Sequence, residues 1–105
     1  MNESEFNGLA EETLDRIEGA LETCNADLDC SREGDGVLEI EFDDGTKIVV
    51  NRHAAMQEVW VAARSGGYHF RWDGKSWCDT RDGTELMRAL SALISAQAKA
   101  RIDLD

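Results

Sequence analysis

The stretch VLEIEFDDGTKIVVN, residues 37–51, decides the fold because its apolar residues recur at alternate positions. A period of two is typical of a β-strand that buries one of its faces. Apolar side chains occupy one face of the first strand and acidic side chains the other: Leu38, Ile40 and Phe42 against Glu39 and Glu41. Asp43-Asp44-Gly45 predicts a hairpin turn, since an Asp-Gly pair accepts the positive φ that such turns require. The chain is therefore expected to return through residues 46–51 as an antiparallel strand.

Similar patterns on both sides of this hairpin predict further strands. They are expected at about Asp27–Ser31, Glu58–Ala62, 68–72 and 75–79. Ser65-Gly66-Gly67 and Asp73-Gly74 are the turns expected between the last three, because glycine marks turns in alternating segments. Together these segments predict a meander of about six strands.

A helix is predicted at each end of this meander. Residues 3–24 carry apolar side chains at steps of three and four, which form a stripe for burial. The stripe consists of Phe6, Leu9, Ala10, Leu14, Ile17 and Leu21. Asn25 is the expected stop of this helix. The second helix is expected from about Thr84 to Lys99, behind a capping box formed by Asp82 and Glu85.

The order of these elements predicts a single domain over residues 1–105 of the α+β class. We expect a two-layer α/β sandwich in which both terminal helices pack on one face of an antiparallel sheet. The opposite face of the sheet is then left to solvent or to a partner. The tail, residues 100–105, is expected to be loose.

Charge is the strongest compositional signal. The formal net charge is −11, and residues 1–29 hold nine acidic side chains against the single base Arg16. Such a field argues against nucleic-acid binding, which needs clustered Lys and Arg, and against an anionic membrane surface. The expected partners are cations or a basic protein surface.

The first helix concentrates this charge on one face. Glu11, Asp15, Glu18 and Glu22 follow one another at steps of four, three and four, where like charges repel by about 0.2–0.5 kcal/mol per pair. The charge continues into Asp27 and Asp29 at strand spacing. A solvated face that aids solubility explains this pattern, and so does a ridge of carboxylates for hard, partly hydrated cations. The second interpretation predicts weak binding of divalent or ferrous ions, in competition with a basic protein patch.

Trp60 is the second unusual residue. If Val59 and Val61 point toward the helices, Trp60 stands on the open face of the sheet. Large exposed aromatic side chains are often interface anchors, although Trp60 could instead only shield the sheet. Asn51, Arg52 and His53, at the end of the preceding strand, are expected nearby.

Motifs for catalysis or for a structural metal are absent from the sequence. There is no nucleophile elbow, no phosphate-binding glycine loop and no EF-hand loop. His53 and His69 have no metal-ligand spacing to a cysteine, so a structural zinc site is not expected. Three cysteines, no apolar run long enough to span a membrane and no secretory pattern at the N-terminus predict reduced, inert thiols and a cytoplasmic location.

The run IVVNRHAAMQEVWVAARSGGYHFRWDGKSW, residues 48–77, resembles the bacterial frataxins of the CyaY type. VLEIEFDDGTKI before it and RDGTELMRALSALI after it extend the resemblance over nearly the whole chain. The resemblance implies a non-enzymatic regulator of iron–sulfur cluster assembly that binds Fe2+ and Fe3+ weakly and carries no organic cofactor. It implies two partners, the cysteine desulfurase, through a basic surface, and the iron–sulfur scaffold protein.

Carried onto this sequence, the resemblance implies an acidic ridge for iron and a sheet surface for partners. The ridge consists of Glu3, Glu11, Asp15, Glu18, Glu22, Asp27 and Asp29, and the partner contacts of Glu18, Glu22, Asn51, Arg52 and Trp60. Gly19, Thr23 and Asn25 depart from the pattern, since close relatives often place acids there. The hairpin at 32–35 also differs in length from that of some relatives.

Three functions remain to be compared. The first is an iron-binding regulator, expected to be monomeric, with oligomerisation on iron left open. The second is a purely acidic interaction module that regulates the desulfurase, with iron binding incidental. The third is a ferroxidase or iron-storage particle, which ranks low because the sequence lacks the Glu-x-x-His pairs of di-iron helical sites.

Overall fold

The computed structural model describes residues 1–24 and 27–104. Its elements follow one another as α1 (Glu3–Glu22), β1 (Leu28–Arg32), β2 (Val37–Phe42), β3 (Lys47–His53), β4 (Glu58–Ala63), β5 (Gly66–Trp72), β6 (Trp77–Asp79) and α2 (Leu86–Ala98). The six strands form one antiparallel sheet in chain order, from β1 at one edge to β6 at the other. The predicted α+β class and six-stranded antiparallel sheet are therefore confirmed.

The central hairpin forms as its sequence predicts. Ile40 pairs with Ile48 in the β2–β3 register, so the apolar positions of both strands fall on the same face. Gly45 takes a φ of 85°, a left-handed conformation that favours glycine. The N–H of Phe42 donates to the carbonyl of Thr46 at 2.8 Å and closes the turn.

One face of the sheet and the apolar stripes of both helices form a single core. Its sheet side is made by Leu38, Ile40, Phe42, Ile48, Val50, Val59, Val61 and Phe70, and its helix side includes Phe6, Leu14, Ile17, Leu21, Leu90 and Ile94. The sheet residues all lie on one face, so both helices cover that face and the other stays open. Leu9, which the stripe also predicts as buried, is only partly buried against the core.

The capping box predicted for the second helix is wrong. The helix begins at Leu86, because Glu85 is still extended and pairs with Cys78, while the N–H of Asp79 donates to the carbonyl of Thr84 at 2.8 Å. Glu85 itself is the N-cap, with its carboxylate accepting from the N–H of Met87 at 2.8 Å. The carboxylate of Asp82 accepts from the N–H of Thr84 and closes the preceding turn instead.

The tail is described to residue 104, and it packs against α2. The expectation of a loose tail is therefore wrong for these residues. Lys99 adopts a φ of 56°, which reverses the chain after α2. Ile102 and Leu104 then pack into the core, 7% and 5% exposed. The hydroxyl of Ser95 accepts from the N–H of Ile102 and donates to its carbonyl, both at 2.9 Å. Two alternate apolar residues are thus enough to return the chain to the core.

Smaller boundaries also differ from the sequence prediction. Gly66 and Gly67 belong to β5, and the turn before them is residues 64–65. The stop predicted at Asn25 lies outside the described residues, and α1 ends at Glu22. Neither helix of the described part of the chain combines the length and hydropathy of a membrane span.

Candidate functional site: an acidic helix face and an aromatic stack

The five ridge carboxylates on α1, here called the helix ridge, are Glu3, Glu11, Asp15, Glu18 and Glu22. Three of them surround the guanidinium of Arg32, the last residue of β1. Its Nη2 donates to Glu11 Oε2 at 2.6 Å, and its Nη1 donates to Asp15 Oδ1 at 2.8 Å. Glu18 Oε1 lies 3.7 Å from Nη1. One cation from the sheet therefore offsets the repulsion between Glu11 and Asp15 that the helix sequence predicts.

Arg52 is a second internal cation beside the helix ridge. Its Nη1 lies 3.4 Å from Glu11 Oε1 and its Nη2 lies 3.1 Å from Asp35 Oδ2. The guanidinium reaches both because it runs over Gly36, where a Cβ would stand 2.8 Å from Arg52 Nε. Glycine at position 36 is thus required by a close approach as well as by its φ of 78°.

The position of Arg52 corrects the sequence prediction. Arg52 shares its face of β3 with the buried residues Ile48 and Val50, so it points toward the helix layer. Asn51 points to the open face, where it pairs with Trp60 across β3 and β4. Arg52 therefore belongs to the surroundings of the helix ridge and is not part of the open sheet surface.

Contacts with the carboxylates also act on the charge of Arg32 itself. Burial lowers the pKa of Arg32, but hydrogen bonds to Asp15 and Glu11 outweigh it and hold the pKa above its usual value. Arg32 consequently stays charged. Glu3 and Glu22 have no ion pair within residues 1–24 and 27–104, so the helix ridge keeps uncompensated negative charge at both of its ends.

The acidic ridge is not one continuous face. Leu28 and Cys30 of β1 pack against the core, so Asp29 between them points toward the open side of the sheet, where it pairs with Glu41 of β2. Asp27 precedes this strand and is exposed. The expectation that α1 and the start of β1 share one charged side is therefore wrong. The carboxylates line two surfaces that border the β1 edge of the sheet.

Cys30 lies close to the end of the helix ridge. Burial raises the pKa of its thiol to about 11, and the negative charges of Glu18 and Glu22 add to this effect. The thiol is therefore protonated at neutral pH and is a poor nucleophile or metal ligand there. All three cysteines are free thiols.

Within the described residues, no three His, Cys, Asp or Glu side chains are grouped so that they could hold a metal ion. The helix ridge offers carboxylates in a row on one side of a helix. Such an arrangement suits hydrated hard cations held by one or two oxygens at a time.

Trp60 lies on the open face of the sheet, as the alternation of β4 predicts. Its indole is stacked between two imidazoles, His53 of β3 at 3.9 Å between ring centroids and His69 of β5 at 4.4 Å. The interplanar angles are 14° and 10°, so both ring faces of Trp60 are covered. The sequence analysis expects His53 near Trp60 but does not place His69 there, because the stack depends on the register of three strands.

Glu58 contacts the indole of this aromatic stack through a hydrogen bond. Its side chain is 4% exposed, and its Oε1 accepts from Trp60 Nε1 at 2.8 Å while its Oε2 accepts from the guanidinium of Arg71. Burial raises the pKa of Glu58, but the hydrogen bonds from Trp60 and Arg71 outweigh burial and hold the pKa below its usual value. The sequence did not predict this role, because Glu58 lies on the face of an alternating strand where a solvated polar residue is expected.

Residues 1–100 match the model of a family described as the frataxin-like domain. The chain is 62% identical over 104 residues to the iron–sulfur cluster assembly protein CyaY of Dechloromonas aromatica, covering 99% of both chains. It is 55% identical over 108 residues to the protein of the same name in Cupriavidus pinatubonensis, covering 99% of this chain and 96% of that one.

Solved structures agree with these matches. A frataxin from Psychromonas ingrahamii superposes with a TM-score of 0.92 at 35% identity, covering 100% of this chain and 99% of that one. Trimeric frataxin from Saccharomyces cerevisiae, complexed with ferrous iron, superposes with a TM-score of 0.68 at 22% identity, covering 94% of this chain and 88% of that one. At that identity the yeast structure supports the fold alone.

Proposed function

The chain belongs to the frataxin-like family, and from this membership we propose that it is an iron-binding regulator and adaptor of iron–sulfur cluster assembly. In this proposal the helix ridge docks on a basic surface of the cysteine desulfurase and holds Fe2+ or Fe3+ weakly. The open sheet face around Asn51 and Trp60 contacts the scaffold protein. The proposal assigns no catalytic step to the chain, and it places the protein in the cytoplasm, in line with its three free thiols.

The one-signed charge of the helix ridge carries this proposal. Glu3 and Glu22 have no ion pair inside the described chain, and Glu18 is only loosely paired with Arg32, at 3.7 Å. A basic partner would gain from this field mainly in association rate and specificity. Iron would be the cargo of such a surface, bound through carboxylate oxygens and water.

A second candidate function is favoured by Arg32. Its guanidinium already binds Glu11 and Asp15, so a metal ion at those carboxylates has to displace or share this cation. That competition lowers the affinity for iron while leaving a negative outer surface for a protein. The alternative is therefore an acidic interaction module that regulates the desulfurase, with iron binding incidental.

An anaerobic Fe2+ titration followed by NMR distinguishes the two functions. The test variant E18Q/E22Q removes two charges from the helix ridge, and E41Q/D43N removes two charges elsewhere as a matched control. Glu41 and Asp43 are exposed on β2 and in the turn after it. An iron-binding regulator loses iron affinity and desulfurase affinity together in E18Q/E22Q alone. Unchanged iron affinity with weakened desulfurase binding supports the interaction module, and unchanged binding of both contradicts a role for the ridge.

A further inference from the structure

Trp60 can offer a partner only part of its surface. Parallel imidazoles cover both of its ring faces, and its Nε1 donates to Glu58. A protein that contacts Trp60 without dismantling this arrangement meets the exposed edge of the indole. The direction in which the exposed edge of the indole points therefore decides which partner surface can bind the open face of the sheet.

Glu58 is the least exposed residue of this arrangement. Its carboxylate lies on the open side of the sheet, where strands of such folds normally carry solvated groups, yet it is 4% exposed. A buried carboxylate is tolerated when its oxygens are fully hydrogen-bonded. Glu58 meets this requirement through Trp60 Nε1 and Arg71, and His69 Nδ1 lies 3.6 Å from its Oε1.

These contacts restrict the indole more than stacking alone does. Each ring of a stack can slide or rotate within its own plane at small cost, since aromatic pairs accept a range of offsets. A hydrogen bond from Nε1 to a fixed oxygen removes that freedom. Arg71 in turn binds the other oxygen of Glu58, so a chain of contacts from β5 to β4 sets the orientation of the indole within its own ring plane.

We propose that Glu58 is a positioning residue, which holds the indole of Trp60 between His53 and His69 with its free edge directed at the protein partner of the open face. This inference rests on the proposed function, in which that partner is the scaffold protein. The partner gains affinity because it meets an indole that is already ordered and does not have to be immobilised on binding.

Three variants test this role by scaffold binding in calorimetry and by the NMR resonance of the Trp60 Nε1–H. E58Q keeps an acceptor oxygen in place, E58M has similar length without an acceptor, and W60F keeps a stacked ring without a donor. We expect E58Q to bind the scaffold within about twofold of the wild type. We expect E58M and W60F to lose about fivefold or more, with the Trp60 resonance of E58M shifted toward that of a solvent-exposed indole.

The double variant E58M/W60F should bind no more weakly than W60F alone, because the two residues act as one unit. Scaffold binding of E58M at the wild-type affinity, with the Trp60 resonance shifted, would overturn the positioning role. If E58M does not fold, the scaffold affinity of W60F is the test. Scaffold binding of W60F at the wild-type affinity would overturn the positioning role of Glu58 as well. Failure of the proposed function gives a different result from failure of the positioning role. If the open face does not contact the scaffold, W60A binds the scaffold with the wild-type affinity.

Discussion

Arg32 on β1 and Glu11 on α1 are joined by an ion pair of 2.6 Å, which ties the edge strand of the sheet to the face of the helix that carries the charge. This pair shows that not all of the carboxylates on α1 are left without a cation. Glu11 and Asp15 are held by a cation of the fold, while Glu3 and Glu22 at the ends of the helix ridge have no ion pair in the described chain. The negative charge that no cation of the fold compensates therefore lies mainly at the ends of the ridge and at the loosely paired Glu18.

Removal of Arg32 should destabilise the protein and strengthen its binding of cations. R32Q loses two short hydrogen bonds and one weaker contact, and since these groups are partly exposed we expect a loss of about 1–2 kcal/mol in the free energy of unfolding. Urea denaturation measures this loss, and an anaerobic Fe2+ titration measures the gain in affinity. R16Q is the matched control, because Arg16 has no ion pair in the described residues. Equal stability of R32Q and the wild type would contradict the structural role of Arg32.

The thiol of Cys30 should titrate well above a free thiol. In a C24S/C78S background, the NMR resonance of the Cys30 Cβ should still be shifting at pH 10, because the pKa of Cys30 is raised to about 11. E18Q/E22Q should lower this pKa, since both carboxylates contribute to the shift. A titration that is complete by pH 9.5 would show that Cys30 is not buried beside the ridge.

Acid should remove the stabilising effect of Glu58. The pKa of Glu58 is lowered in the folded chain, so its contribution to stability is present above the ordinary value of 4.5 and is lost as the pH falls through the folded value. At pH 7 we expect E58Q to be less stable than the wild type by about 1–3 kcal/mol. Urea denaturation at several pH values should show this difference shrinking below about pH 4. A difference that is constant with pH would contradict the charged, hydrogen-bonded state of Glu58.

The C-terminal tail should contribute to stability as part of the core. L104A is expected to cost about 2–3 kcal/mol and I102A a similar amount, since both side chains are buried and leave cavities. S91A should cost about 1 kcal/mol, because the Ser91 hydroxyl accepts from the N–H of Leu104 at 2.9 Å. R101A changes an exposed neighbour and serves as the control in thermal unfolding. Unchanged unfolding of L104A would mean that the tail is loose after all.

Local patterns in the sequence were sufficient for the elements and the sheet. The alternation of Leu38, Ile40 and Phe42 and the Asp-Gly turn after them depend on neighbours in the chain, so the hairpin could be predicted directly. The sheet order followed because hairpins join strands that are adjacent in the chain. Trp60 on the open face was predicted by the same alternation.

Relationships between distant residues could not be predicted in this way. The pairing of Arg32 with Glu11 depends on how far β1 extends beneath α1, and the outward direction of Asp29 depends on which face of β1 meets the core. The tail was missed because two apolar residues are too few to produce a periodic signal. Arg52 was misplaced because it was grouped with its chain neighbours, although adjacent residues of a strand point to opposite faces.

We propose that the helix ridge docks the protein on the basic surface of the cysteine desulfurase. Its most direct test is the desulfurase dissociation constant of wild type, E18Q/E22Q and the control E41Q/D43N, measured from 50 to 300 mM salt. We expect E18Q/E22Q to bind about 3- to 30-fold more weakly at low salt, and we expect salt to reduce this difference because exposed charges are screened. The control should bind like the wild type. Equal weakening of both variants, or a ridge variant that binds as tightly as the wild type, would contradict docking through the helix ridge.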